Sequence, residues 1–185
     1  DVGVGDYTKK TFSDQRYEIW TMQSAYHNLP RIGGHDQLPG KIKKAKNCRV
    51  DHDDESVTFS LEMQDAYPSE AGIELWHRTL TAAGTGILSL KDSYRLTGAQ
   101  NEIALFLMTP WCPEIDGTIG GGQTLRLTAA SGQQMEIEIP TGMKADWEKI
   151  EFDDKKLTVV WGRELYRVTL LLADGAPEGT WSIEF

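Results

Sequence analysis

Apolar and polar residues alternate with a period of two along most of the chain. In SVTFSLEM (56–63), Val57, Phe59, Leu61 and Met63 oppose polar neighbours, the pattern of a strand with one wet face. The same period predicts strands in RYEIWTM (16–22), GIELWHRTLTA (72–82), TGILSLKDSYRL (85–96), TLRLTAA (124–130) and QMEIEIP (134–140). It continues in KLTVVWG (156–162), LYRVTLLLA (165–173) and GTWSIEF (179–185). EIALFLMTP (102–110) is apolar on both faces, as a central strand buried twice requires. Gly, Asp, Asn and Pro clusters separate these segments, and no amphipathic helix pattern stands out among them. DHDDE (51–55) and FDDKK (152–156) read as turns, and IDGTIGGGQ (115–123) as a glycine loop. The pattern predicts an all-β fold, an antiparallel two-sheet β-sandwich, with residues 1–185 as a single domain.

Composition narrows the class. A chain of 185 residues buries about 70% of the surface its unfolded form exposes, enough for a substantial core. Apolar runs such as VTLLLA (168–173) are far short of the roughly 20 residues a spanning helix needs, so no membrane insertion is expected. A formal net charge of -9 disfavours non-specific attraction to nucleic acid, and none is expected as a partner. Cys48 and Cys112 lack the spacing of a zinc ribbon or redox pair, although one disulfide between them is open. The sequence contains no G-x-S-x-G, P-loop, dinucleotide fingerprint or H-E-x-x-H.

Two stretches depart from this background. KIKKAKNCR (41–49) brings Lys41, Lys43, Lys44, Lys46 and Arg49 into an otherwise acidic chain. It reads both as an edge strand guarded against aggregation and as a handle for an anionic polymer. The N-terminal segment concentrates Asp1, Tyr7, Tyr17, Tyr26, His27 and Asn28. Zinc usually takes four donors; Asp1 and His27 would supply two, and a buried, hydrogen-bonded His27 is the competing reading.

The segment DVGVGDYTKKTFSDQRYEIWTMQSAYHNLPRIGG (1–34) resembles the heparinase II/III-like polysaccharide lyases, in particular the heparinase II and oligoalginate lyase branch. The motifs are Asp-x-Gly-x-Gly-x-Tyr, Thr-Phe-Ser, Arg-Tyr-x-Ile-Trp and Tyr-His-Asn-x-Pro-x-Ile-Gly, and ELWHRTL, FLMTP, VVWGRELYRVTL and GTWSIEF extend the likeness along nearly the whole chain. The resemblance implies the C-terminal super-β-sandwich-like part of a toroid-plus-sandwich enzyme, with an N-terminal helical toroid as the absent partner. It implies a uronic-acid polysaccharide as substrate, cleaved by β-elimination, and a periplasmic or secreted setting in a bacterium. It places zinc ligands on Asp1 and His27, with a further histidine upstream, so zinc is expected in the intact parent and weakly or not at all in this piece. Tyr7 is the first and Tyr17 the second candidate for the catalytic tyrosine, and Asn28, Lys41, Lys43 and Lys44 are candidate substrate contacts. The expectation is an isolated piece that is not a complete enzyme. The alternative is a freestanding carbohydrate-binding or structural β-sandwich module that uses the lysine strip and Trp111.

Overall fold

The computed structural model describes residues 2–98, 102–117, 122–173 and 175–185. In chain order the strands are β1 (Pro30–Ile32), β2 (Lys46–His52), β3 (Ser56–Glu62), β4 (Ile73–Ala83), β5 (Leu88–Leu96) and β6 (Ile103–Thr109). They continue as β7 (Cys112–Gly117), β8 (Gln123–Thr128), β9 (Gln134–Glu138), β10 (Lys144–Glu151), β11 (Glu164–Leu172) and β12 (Glu178–Glu184), with one α-helix, α1 (Lys155–Trp161). All ladders are antiparallel. One sheet has the order β1-β6-β11-β10, a second β12-β5-β4-β3-β2, and a small third β7-β8-β9. The all-β sandwich expected from the sequence is present, with this third sheet added to it. Of the glycine-rich stretch, Ile115 to Gly117 end β7 and Gln123 begins β8, while residues 118–121 lie outside the described residues.

The main core lies between the sheets. Leu105, Leu107, Val168 and Leu170 from the first sheet meet Trp76, Leu90, Tyr94 and Ile183 from the second, and Leu125 and Ile137 from the third close over them. Strand β6 is buried on both faces as its sequence predicts. Ile103, Leu105 and Leu107 point into the main core, while Ala104 and Phe106 join Ala25 in a separate cluster on the outer face. The outer face therefore needs its own cover, and two segments supply it.

Both covering segments correct the strand reading. Residues 10–26 form four successive 3-10 turns, Lys10–Phe12, Asp14–Glu18, Trp20–Met22 and Ser24–Tyr26. The alternation of residues 16–22 is overridden because these residues pair with no ladder. They lie across a sheet face, where one inward contact per turn suffices, as at Thr11, Thr21 and Ala25. Residues 155–161, rich in β-branched side chains, form α1 instead of a strand. The Asp154 side chain accepts from the Lys156 and Leu157 amides, an N-cap that outweighs weak intrinsic preference. Leu157 packs on Leu165 and Val2.

The lysine strip divides in two. Lys46 and Arg49 lie on β2, the fully exposed edge strand, with a bulge between them, so positive charge and bulge both discourage edge pairing. Lys41, Lys43 and Lys44 precede that strand in a turn. Cys48 and Cys112 are both free and exposed. No helix among the described residues is long and apolar enough to cross a membrane.

One buried ion pair joins the middle of the second sheet. Asp92 on β5 is fully buried and Arg78 on β4 is 6% exposed; the guanidinium meets both carboxylate oxygens, Nε to Oδ1 at 2.7 Å and Nη2 to Oδ2 at 2.6 Å. Removing one member of such a pair strands a charge in the core. Asp92→Ala is expected to cost about 3–5 kcal/mol, measured as the drop in unfolding free energy in urea; a loss within experimental error would show that the pair is dispensable.

Candidate functional site

The N-terminal segment is held against the sandwich by contacts across the whole length of the chain. Trp161 Nε1 donates to the Val2 carbonyl at 2.9 Å, and the Asp6 amide donates to Asp154 Oδ2 at 2.6 Å. Gly5 makes the second contact possible. Its φ is +67°, and a Cβ there would stand 2.7 Å from Asp154 Oδ2. These contacts set Tyr7 beside α1, with Lys156 Nζ 3.9 Å from its ring centroid and Phe12 edge-on at 5.5 Å. Tyr7 is 63% exposed.

Tyr17 and His27 are brought together elsewhere on the same strap. Both line a cavity of about 420 Å³ whose other walls include Gln23, Asp36, Gln37 and Pro39. The Ser24 hydroxyl, accepting from the Gln37 amide at 3.3 Å, ties one wall to the other. Asp36 is already engaged: Arg31 donates to both its oxygens, at 2.9 and 2.7 Å. Burial lowers the His27 pKa, opposed by a hydrogen bond to the Thr21 backbone. The imidazole is therefore neutral at neutral pH, with one ring nitrogen carrying a proton and the other able to accept one. Tyr7 lies in a different recess, with Val4, Lys156 and Val160.

Asn28, adjacent to His27, serves the fold. Its carbonyl accepts from Arg78 Nη1 at 2.7 Å, and its Oδ1 accepts from the Met108 amide at 2.8 Å. Both oxygens are occupied, and the amide nitrogen is what remains to offer a ligand. Lys43 Nζ donates to the Tyr67 carbonyl at 3.0 Å in a third recess, whereas Lys41 and Lys44 are exposed. Asp1 lies outside the described residues. Among the described residues no group of three His, Cys, Asp or Glu side chains is placed to hold a metal ion. His27 contributes one donor and Asp36 is held by Arg31, so the described residues do not make up a zinc donor set.

The sequence reading missed the supporting residues of this region. Arg167 stacks on Tyr26 and Phe106, with centroid distances of 4.6 and 4.9 Å, and donates to the Ala25 carbonyl at 3.1 Å. Arg31, on β1 across β6 from β11, lies 5.2 Å from the centroid of the Phe106 ring. The available signal was period two: Arg167 alternates with the inward-facing Tyr166 and Val168 of β11 and so faces outward, toward whatever covers that sheet.

No protein-family model matches the chain, and comparison with curated proteins gives no match. Solved structures do match. Heparan sulfate lyase HepC from Pedobacter heparinus superimposes with a TM-score of 0.67 at 15% identity, covering 100% of this chain and 28% of that one. Two heparinase III structures follow, with TM-scores of 0.64 and 0.61 at 12% and 14% identity, each covering 100% of this chain and 26% of the other. The chain thus has the fold of one portion of these lyases and spans between a quarter and a third of their length.

The His27 environment gives a pH dependence. Between its lowered pKa and the ordinary imidazole value of about 6.5, the unfolded chain binds more protons than the folded one. Stability contributed by neutral His27 is therefore present above this window and lost as pH falls through it. His27→Gln is expected to lose less stability than the parent chain when urea unfolding at about pH 7.5 is compared with about pH 5.5. Equal losses in the two proteins would show that His27 is not the group responsible.

Proposed function

We propose that this chain is the β-sandwich portion of a polysaccharide lyase that cleaves a uronic-acid-containing glycan by β-elimination, and that the Tyr17–His27 cavity forms its side of the substrate cleft. The observation that carries this reading is a match of the whole of this chain to one portion of a heparan sulfate lyase, in a chain where a phenol and a neutral imidazole share one cavity. The longer enzyme would supply the opposite wall from a helical toroid.

β-Elimination at a 4-linked uronate removes the C5 proton, forms the C4–C5 double bond and breaks the C4–O bond, whose oxygen takes up a proton. The reaction needs a base, an acid and neutralisation of the uronate carboxylate. The free nitrogen of His27 is suited to accept the C5 proton because burial keeps the ring neutral, and the Tyr17 hydroxyl is suited to protonate the leaving oxygen. What favours Tyr17 over Tyr7 is the cavity it shares with His27. Lys41 and Lys44 follow closely on Pro39 at the cavity wall and would draw the polyanion towards it against the chain's net negative charge. Lys43 is a secondary contact in this scheme, and Asn28, which lines a different cavity, acts by fixing the backbone next to His27. A polymer of this kind is met outside the cytoplasm, which suits a periplasmic or secreted enzyme.

The imidazole of His27 has two exclusive uses, as metal ligand or as proton acceptor. Asp36 being held by Arg31, the described donors favour the second use. A zinc ion in the longer enzyme would need His27 together with Asp1 and further donors, and this chain alone would hold the ion weakly or not at all. Metal analysis after dialysis is expected to find well under one zinc per chain; tightly held stoichiometric zinc would reverse the assignment.

Activity tests the rest. In the enzyme that includes the sequence preceding this chain, Tyr17→Phe is expected to lower kcat by about 10²–10⁴-fold, followed by ultraviolet absorbance of the unsaturated uronate product. Tyr7→Phe is expected to retain activity within a few-fold. The opposite ranking would move the role to Tyr7, and glycan binding without turnover would mark the chain as a carbohydrate-binding sandwich.

A further inference from the structure

A second cavity, of about 500 Å³, opens between the three sheets on the other side of the His27–Asn28 peptide. Its inner wall is made by Leu90 of β5, Leu107 of β6, Leu125 of β8 and Val168 of β11, all buried. Leu80, Leu88, Trp111, Met135 and Phe185 are among the other lining residues and are incompletely buried. The backbone there is fixed: Leu88 and Phe185 exchange amide hydrogen bonds at 3.2 and 2.9 Å, so the opening is framed by strand ends. The volume lies within the range of about 300–1,000 Å³ typical of small-molecule sites, and so does the chemistry, an apolar wall with few polar groups.

Those polar groups are Asn28, Arg78 and Thr109, and their partners define what a ligand must bring. Arg78 is neutralised by its two bonds to Asp92 and spends a third on the Asn28 carbonyl. Asn28 Oδ1 accepts from Met108, and Thr109 Oγ1 accepts from the Trp111 amide at 3.0 Å. These bonds leave the Asn28 amide hydrogens, the Thr109 hydroxyl hydrogen and further guanidinium N–H groups as donors. With the charge of Arg78 cancelled, an anion entering the cavity would lose its hydration without gaining an unpaired cation.

We propose that this cavity is a binding site for an uncharged, largely apolar small molecule carrying a carbonyl, ether or hydroxyl oxygen. The hydrocarbon part fills the space between Leu90, Leu107 and Val168, and the oxygen accepts from the Asn28 and Thr109 donors. The site is separate from the glycan cavity in chemistry as well as in place, since a uronate has too little apolar surface for these walls. Its occupancy does not depend on the lyase reading.

The test is a fluorescence titration of the intact chain with prodan, an uncharged naphthyl ketone whose emission shifts to the blue when it leaves water, beside anilinonaphthalene sulfonate, a dye of similar size with a fixed negative charge. Saturable one-to-one prodan binding is expected, at least about tenfold tighter than that of the sulfonate. Met135→Trp fills the opening and is expected to weaken prodan binding at least about tenfold while the thermal midpoint holds or rises. Leu80→Phe does the same from β4 and serves where the first variant fails to fold. Non-saturating binding, unchanged affinity in a folded filled variant, or sulfonate binding as tight as that of prodan would each overturn the proposal.

Discussion

The rest of the sandwich is organised around the Arg78–Asp92 pair. A carboxylate with no exposed surface is tolerable only when its oxygens are met, and both are met by one guanidinium from the neighbouring strand. The same guanidinium reaches beyond its own sheet to the Asn28 carbonyl, and the Asn28 side chain in turn accepts from the Met108 amide of the facing sheet. A single asparagine thus adds directional bonds between two layers whose contact is largely apolar, which is strong but carries little directional information. The peptide between His27 and Asn28 is fixed as a result, and each of the two residues lines a different cavity.

The second constraint is the double burial of β6. A strand that is apolar on both faces forces the chain to find a second cover, and the cover consists of the 3-10 strap and α1. The strap has little core of its own. It is held by Arg167 from the sheet beneath, which lies against the Tyr26 ring and donates to the Ala25 carbonyl, and by hydrogen bonds at its start to the α1 region. A surface built in this way can change its outward side chains without disturbing the core, which suits a segment that carries candidate chemistry.

Much of this was legible in the sequence. In the second sheet β5 and β12 follow their alternation closely, whereas β2 is exposed on both faces, and β6 announced its central position by having no polar face. Arg78 and Asp92 were not singled out in the sequence, although each falls in phase with inward apolar residues of its strand, Arg78 between Trp76 and Leu80, and Asp92 between Leu90 and Tyr94. Opposite charges at the inward positions of adjacent strands imply a buried pair. The 3-10 strap was illegible because its alternation imitates a strand, and only the absence of a pairing partner shows otherwise. Helix α1 was hidden because its β-branched residues, Val159 at 87% and Val160 at 67% exposure, point to solvent, while Asp154 and Leu157 determine its state. Within the candidate site, Tyr17 and His27 were named from sequence but their shared cavity was not, since Asp36 and Gln37 reach it only after the chain turns back through β1.

The contacts between the strap and α1 have a consequence for the order in which the molecule can be completed. Val2 and Asp6 leave the ribosome first among these residues, yet their partners Trp161 and Asp154 follow only after most of the sandwich has been made. Throughout that interval the start of the strap, with Val2, has no fixed partner on the sandwich. During synthesis residues 2–6 must wait for residues 154–161, with β11 and β12 still to follow, so the contacts that fasten the strap carrying Tyr17 and His27 close only late.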